Sequence, residues 1–421
     1  MSSSKNYLLS ITIIGILFFI FGFITWINGT LIPYLKIACE LTTDVQAYLV
    51  ATAFFIAYTV MAIPSSLVLK RTGYKKGMAI GLFIMSIGAI VFVPAASSRD
   101  FSLFLIGLFI IGTGLALLQT ASNPYVSIIG PIESAATRIS IMGICNKVAG
   151  IIAGLIFGYI ALNDADALIN NLKTMDEATK EVTLNELASR VIVPYLIIAI
   201  ALAALAVGIL FSSLPEISDE SEAEGTPPPG GDKTSVFQFP HLMLGVLALF
   251  LYVGVEVMAG DTIISYGKSL GIELSTARYF TQGTLACMLI GYIVGISTIP
   301  KYISQASALK YCAILGVVFT ILAVFTNGYV SVAFIALLGL ANSLMWPAIF
   351  PLAIEGLGKF TKTGSALMIM AIAGGAILPL IYGHLSQSIG TRVAYIIMAP
   401  CYLYILYYAV IGHNVGKKSI A

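Results

Sequence analysis

Three ionisable side chains stand inside long apolar runs of this sequence: Lys147, Glu256 and Asp261. An ionisable group in hydrocarbon costs at least about 2.5–3.5 kcal/mol, so each needs a partner, a cavity or a charge-carrying role. Lys147 lies about eight residues into its run, roughly 12 Å deep at the helical rise. Its stem, about 6 Å long, cannot return the ammonium to the interface. Glu256 lies roughly 24 Å along the run that starts at Pro240. Asp261 follows five residues later, where a helix-end role competes with a functional one. A pairing of Lys147 with Glu256 would satisfy both charges, but spacing alone does not bring them together.

A second set is neutral. Asn28, Gln119, Asn123, Asn146, Gln282 and Asn342 fall within apolar runs. Amides both donate and accept hydrogen bonds, which is what the hydroxyls of a neutral sugar require. Trp26 and Trp346, the only two tryptophans, offer flat faces suited to the apolar side of a pyranose. Trp26 would fit an interfacial aromatic belt equally well. A membrane-embedded enzyme would need clustered histidines, paired aspartates or a nucleophile beside a base, and none stands out. His241, His384 and His413 are far apart, which argues against a metal site. The five cysteines show no C-x-x-C spacing and read as small core residues.

These residues must be positioned by a membrane. Hydrophobic residues make up 58% of the 421, and charged residues 10%, against about 25% in soluble domains. So little charge cannot cover a water-facing surface, and lipid must cover much of it. A formal charge of +2 supplies no basic face for nucleic acid. A spanning helix needs roughly 20 apolar residues. That rule predicts an all-α protein with spans over 8–35, 45–69, 77–96, 102–129, 139–162 and 191–213. Six more follow over 240–267, 275–299, 309–326, 330–354, 363–388 and 393–413. The first reads as an uncleaved span rather than a signal peptide, being too long for an apolar h-region.

Acidic, Pro- and Gly-rich sequence over 215–239 reads as a flexible linker. It gives a first half at 1–213, a linker at 214–239 and a second half at 240–421. The polar stretch 163–190 reads as a helix-containing loop at the membrane surface. Basic residues favour loops on the side of both termini, among them Lys70, Arg71, Lys75, Lys76, Arg138, Lys301 and Lys310. The positive-inside rule then places both termini in the cytoplasm.

The halves repeat at a separation near 225 residues. Asn123-Pro124 matches Trp346-Pro347, and Gly150 and Gly158 match Gly375 and Gly383. Duplicated six-span halves are the architecture of major facilitator transporters, which bind substrate at mid-membrane between the halves. Gly112, Gly114, Gly374 and Gly375, with Pro124, Pro347, Pro351 and Pro379, recur in corresponding spans. Besides close packing, this pairing suits helices that bend during alternating access.

On these residues the sequence resembles the fucose–galactose–hexose permease family of that superfamily, and within it the bacterial glucose/galactose transporters. The matching stretches are 28–34 (NGTLIPY), 112–131 (GTGLALLQTASNPYVSIIGP), 138–147 (RISIMGICNK), 252–262 (YVGVEVMAGDT) and 346–358 (WPAIFPLAIEGLG). Segment 70–77 (KRTGYKKG) resembles the superfamily's loop motif, with Lys70 where an Asp is usual. The resemblance implies secondary-active uptake of a hexose across a bacterial inner membrane, by a monomer without cofactor. It implies sugar recognition by Gln119, Asn146 and Trp346. Two departures bear on coupling. Gly29 stands where the fucose–proton symporters carry Asp, and Gln119 where they carry Glu. A coupling route through Glu256 or Asp261, with Lys147 as fixed positive charge, is then open for H+ or Na+, as is uniport. A channel lacks its filter motif here, and a multidrug exporter of the same fold would favour an apolar, aromatic cavity over one rich in amides.

Overall fold

The computed structural model describes residues 2–128, 135–212, 214, 234–299 and 301–417. Among them the regular structure is helical, without strands. In lipid every backbone N–H and C=O must be satisfied internally, and apolar helices do this within one segment. Most of the linker, 215–233, lies outside the described residues.

Among the described residues, eleven apolar helical stretches are long enough to cross a bilayer, and one of them holds two crossings. The second and third spans run together as Asp44–Ser98, with Gly73 at φ 76°, ψ 173° marking the corner between them. Only glycine adopts that conformation without strain. The loop motif over 70–77 is this corner. Thr43 starts the second span with a capping box: its side chain accepts from Gln46 N, and Gln46 Oε1 accepts from Thr43 N, both at 3.2 Å.

Several spans read as continuous in sequence are broken. The first divides at Ile27 into Ser2–Trp26 and Asn28–Ala38. The seventh ends at Asp261, and Ile263–Ser269 follows as a separate short helix. The tenth is Gly328–Asn342 and Met345–Ile354, and the eleventh passes through a 3-10 turn, Ala371–Ala373. Apolar content is indifferent to such breaks, so hydropathy cannot see them. The paired glycines fall mostly at contacts. A Cβ on Gly112 would lie 2.3 Å from Phe54 O, and one on Gly374 only 1.8 Å from Phe250 O. Close approach of backbones is their physical role here.

The polar stretch 163–190 forms two helices, Ala165–Leu172 and Glu177–Ser189. Arg190 donates to both oxygens of Asp164 at 2.6 and 2.7 Å, and Tyr34 OH donates to Leu187 O at 2.8 Å. These helices cap the first half on the face opposite the termini, which we call the far face. Six crossings in each half return both the linker and the C-terminus to the near face, where the N-terminus lies.

Between the halves, contacts gather toward the far face. Thr52 Oγ1 donates to Ala376 O at 2.8 Å, and Tyr48 packs on Tyr382 with ring centroids 5.8 Å apart. Arg278 Nη1 donates to Gly158 O at 3.3 Å. Asp166 takes Lys268 Nζ at 2.6 Å and the Ser275 N–H at 3.0 Å. The cavity behind these contacts is thereby closed on that side.

Candidate functional site

A cavity of about 150 Å³ lies between the halves near mid-span. The first half contributes Trp26, Tyr58, Gln119, Asn123, Asn146 and Lys147. The second contributes Tyr252, Glu256, Tyr292 and Trp346. The break at Ile27 leaves Trp26 at the end of its helix, where the ring turns in toward the fifth span. Trp26 Nε1 donates to Asn146 Oδ1 at 3.2 Å. Gly150, one turn along that span, leaves room for the ring: a Cβ there would lie 2.5 Å from it.

Lys147 and Glu256 meet in this cavity. Lys147 Nζ donates to Glu256 Oε1 at 3.0 Å, with their side chains 8% and 13% exposed. Lys147 Nζ also sits 4.4 Å from the centroid of a Trp26 ring, a cation–π contact. Two opposite charges in contact cancel at a distance, so the cavity presents a neutral solute with hydrogen-bonding groups rather than a net charge. Gln119 Nε2 donates to Tyr58 OH at 3.0 Å, which fixes the amide's orientation. Trp346 stacks on Phe350, with centroids 5.8 Å apart and planes 17° from parallel.

Of the residues singled out from sequence, Trp26, Gln119, Asn123, Asn146, Trp346, Lys147 and Glu256 line the cavity. The other four lie off it. Asn342 is fully buried in the second half and accepts from Tyr402 OH at 2.9 Å. Asn28, Gln282 and Asp261 are buried on the far-face side, where the halves meet. The tyrosines Tyr58, Tyr252 and Tyr292 were not singled out. With 21 tyrosines in the chain, type alone does not separate a cavity wall from a packed core. What marks them is nearness to a polar group of the cavity, Tyr58 to Gln119 on another span and Tyr252 and Tyr292 to Glu256, and that needs the fold.

Two six-span halves enclosing a polar cavity, sealed toward one face, define a secondary transporter that works by alternating access. Residues 14–375 match the model of the Major Facilitator Superfamily, and the chain belongs to that family. It is a transporter and not an enzyme. The glucose/galactose transporter of Brucella abortus (strain 2308) is 34% identical over 98% of this chain and 96% of that one. The L-fucose-proton symporter of Escherichia coli (strain K12) is 30% identical over 96% of this chain and 93% of that one. A crystal structure of the transporter FucP in the outward conformation superposes with a TM-score of 0.75 at 29% identity, covering 96% and 98% of the two chains. The resemblance read in the sequence motifs is met by these relatives.

Proposed function

We propose that the chain carries a hexose (glucose, galactose or a close relative such as fucose) into a bacterial cell by cation-coupled symport. The observation that carries this is the content of the cavity. Amides of Gln119, Asn123 and Asn146 and the face of Trp346 surround a charge pair that is already satisfied. Such a wall suits a neutral polyol, whose hydroxyls need donors and acceptors and whose ring needs an apolar face. The names of the relatives support the same substrate class, and the fucose–proton symporters support H+ over Na+ as the coupling ion.

In this reading the chain is a monomer in the cytoplasmic membrane, with halves 1–213 and 240–421. The linker 214–239 and both termini face the cytoplasm, and the sealed far face is the outer one. The test is uptake of labelled glucose, galactose and fucose into vesicles reconstituted with the protein, under separately imposed proton and sodium gradients. Concentration of one hexose driven by one gradient is expected. Equilibration without concentration under either gradient would instead establish uniport, which the absence of carboxylates at Gly29 and Gln119 favours as the second reading.

A further inference from the structure

Asp261 ends the seventh span with 1% of its surface exposed, and neither carboxyl oxygen meets a donor among the described residues. Its cover comes from the other half. A Cβ on Gly29 would lie 3.4 Å from Asp261 Oδ1 and 3.2 Å from Gly260 O. The ring of Trp26 lies on Gly260, within 2.4 Å of a Cβ built there. The short first-span helix, Asn28–Ala38, thus reaches across the interface onto the end of the seventh span. When the halves part at the far face, the carboxyl loses that cover and meets water.

An ionised carboxylate without a partner is strongly disfavoured in so dry a place. No cation faces it. Glu256, five residues back on the same helix, is itself acidic and offers Asp261 no compensating charge. Lys147 on the fifth span is held by Glu256. From the eighth-span side, Arg278 is turned to Gly158 O and Tyr279 OH. Lys36 on the first span is held by Asp44, and Lys268 beyond the seventh by Asp166. Tyr395 from the twelfth span meets Thr262 Oγ1 at 2.6 Å. The neighbouring hydroxyls are also committed, Thr281 Oγ1 to Gly260 O at 2.7 Å and Thr262 Oγ1 to Met258 O at 2.7 Å. A metal cation would need several oxygens turned toward it, whereas a proton needs one.

We propose that Asp261 is the group that carries the coupling proton, and that it must be protonated for the far-face gate to close over it. A proton from far-face water adds to a carboxylate oxygen, the neutral acid is buried beneath Gly29 and Trp26, and the halves seal. Release returns the same proton to cavity water. Glu256, about 7.5 Å along the helix axis, is the acidic group nearest in sequence on that path. No other bond is made or broken. The proposal rests on the transport reading above and moves the titrating site from the Lys147–Glu256 pair to the gate.

Two measurements on the full-length protein test it. In reconstituted vesicles, Asp261→Asn, which keeps the shape of the neutral acid, should still exchange labelled sugar for unlabelled sugar. Its accumulation ratio under an imposed pH gradient should collapse to one. Asp261→Glu should retain accumulation with a displaced pH dependence. The second measurement uses no sugar. With Trp346→Phe, Trp26 is the single tryptophan, and its emission should shift with pH between about pH 4 and pH 9. Adding Asp261→Asn should remove that shift. Accumulation by Asp261→Asn equal to wild type, accumulation driven by sodium alone, or Trp26 emission indifferent to pH would each overturn the assignment. Because the fluorescence involves no substrate, it decides on Asp261 even if wild type carries none of the three hexoses. That last result would count against the substrate alone.

Discussion

Lys147 Nζ and Glu256 Oε1 lie 3.0 Å apart although 109 residues separate them, and they belong to opposite halves of the molecule. The pair therefore ties the fifth span to the seventh across the cavity in which solute would bind. A switch between the two open forms of the transporter must either carry this pair through intact or break it.

Removing one member leaves the other charge largely buried and unpaired inside the cavity. Glu256→Gln or Lys147→Ala should abolish accumulation of sugar against its gradient, while exchange partly survives. Each should also lower stability, toward the ~3–5 kcal/mol typical of a broken buried pair. The combined variant Lys147→Met with Glu256→Gln should recover much of that stability without recovering accumulation. Thermal unfolding in detergent alongside vesicle uptake checks both. Wild-type accumulation by both single variants would make the pair purely structural.

The amide of Gln119 and the ring of Trp346 should matter for affinity. Gln119→Ala removes a group positioned by Tyr58, leaving a sugar hydroxyl unpaired at a cost of about 1–3 kcal/mol. Trp346→Ala removes an apolar face. Calorimetric titration with glucose, galactose and fucose should show weaker binding in both folded variants, and unchanged affinity would remove these residues from the binding site.

Orientation can be read with a protease. Residues 215–233 are polar, acidic and rich in proline and glycine, and cleavage there should occur in inside-out vesicles only. Cleavage in sealed right-side-out vesicles would reverse the sidedness argued from basic loops.

The far-face cap should be sensitive to acid. Lys180 and Arg99 both contact Glu40, and hydrogen bonding from Lys180 holds its carboxyl below the ordinary value of 4.5. A folded-state value below the unfolded one contributes stability above the unfolded value, which is lost as pH falls through the folded one. The unfolding temperature should therefore drop below about pH 4.5 by a smaller step in Glu40→Gln than in wild type. Identical acid profiles would show that the contact is without effect on stability, as many exposed ion pairs are.

Much of the architecture was legible in composition, because length and apolarity are what a bilayer selects. Twelve crossings, the duplication and the six-and-six division all follow from runs of residues such as 240–267. The breaks at Ile27 and at Ser343–Leu344 were not legible, since an interrupted helix and a continuous one can have the same hydropathy. For the site, ionisable and amide residues in apolar runs pointed to five cavity residues, Gln119, Asn123, Asn146, Lys147 and Glu256. The rule could not separate Gln119, which lines the cavity, from Asn342, whose amide is spent on Tyr402 within one half. Both satisfy the demand that a buried amide find a partner. Only the packing decides whether that partner is protein or solute.

The bridge from Asp166 to Lys268 spans the halves at the far surface, with side chains 20% and 42% exposed. Charges in such a place are screened by dissolved ions over about 8 Å at physiological ionic strength. The neighbouring clasps, Thr52 on Ala376 O and Arg278 on Gly158 O, are hydrogen bonds to backbone, and only Arg278 brings a charge. The molecule thus joins its halves with fasteners of unequal sensitivity to the medium. In a dilute medium the outer clasp holds harder and the sealed form is favoured. In brine it slackens while the inner ones keep their grip, so of the contacts joining the halves at this face the bridge is the one that dissolved salt reaches.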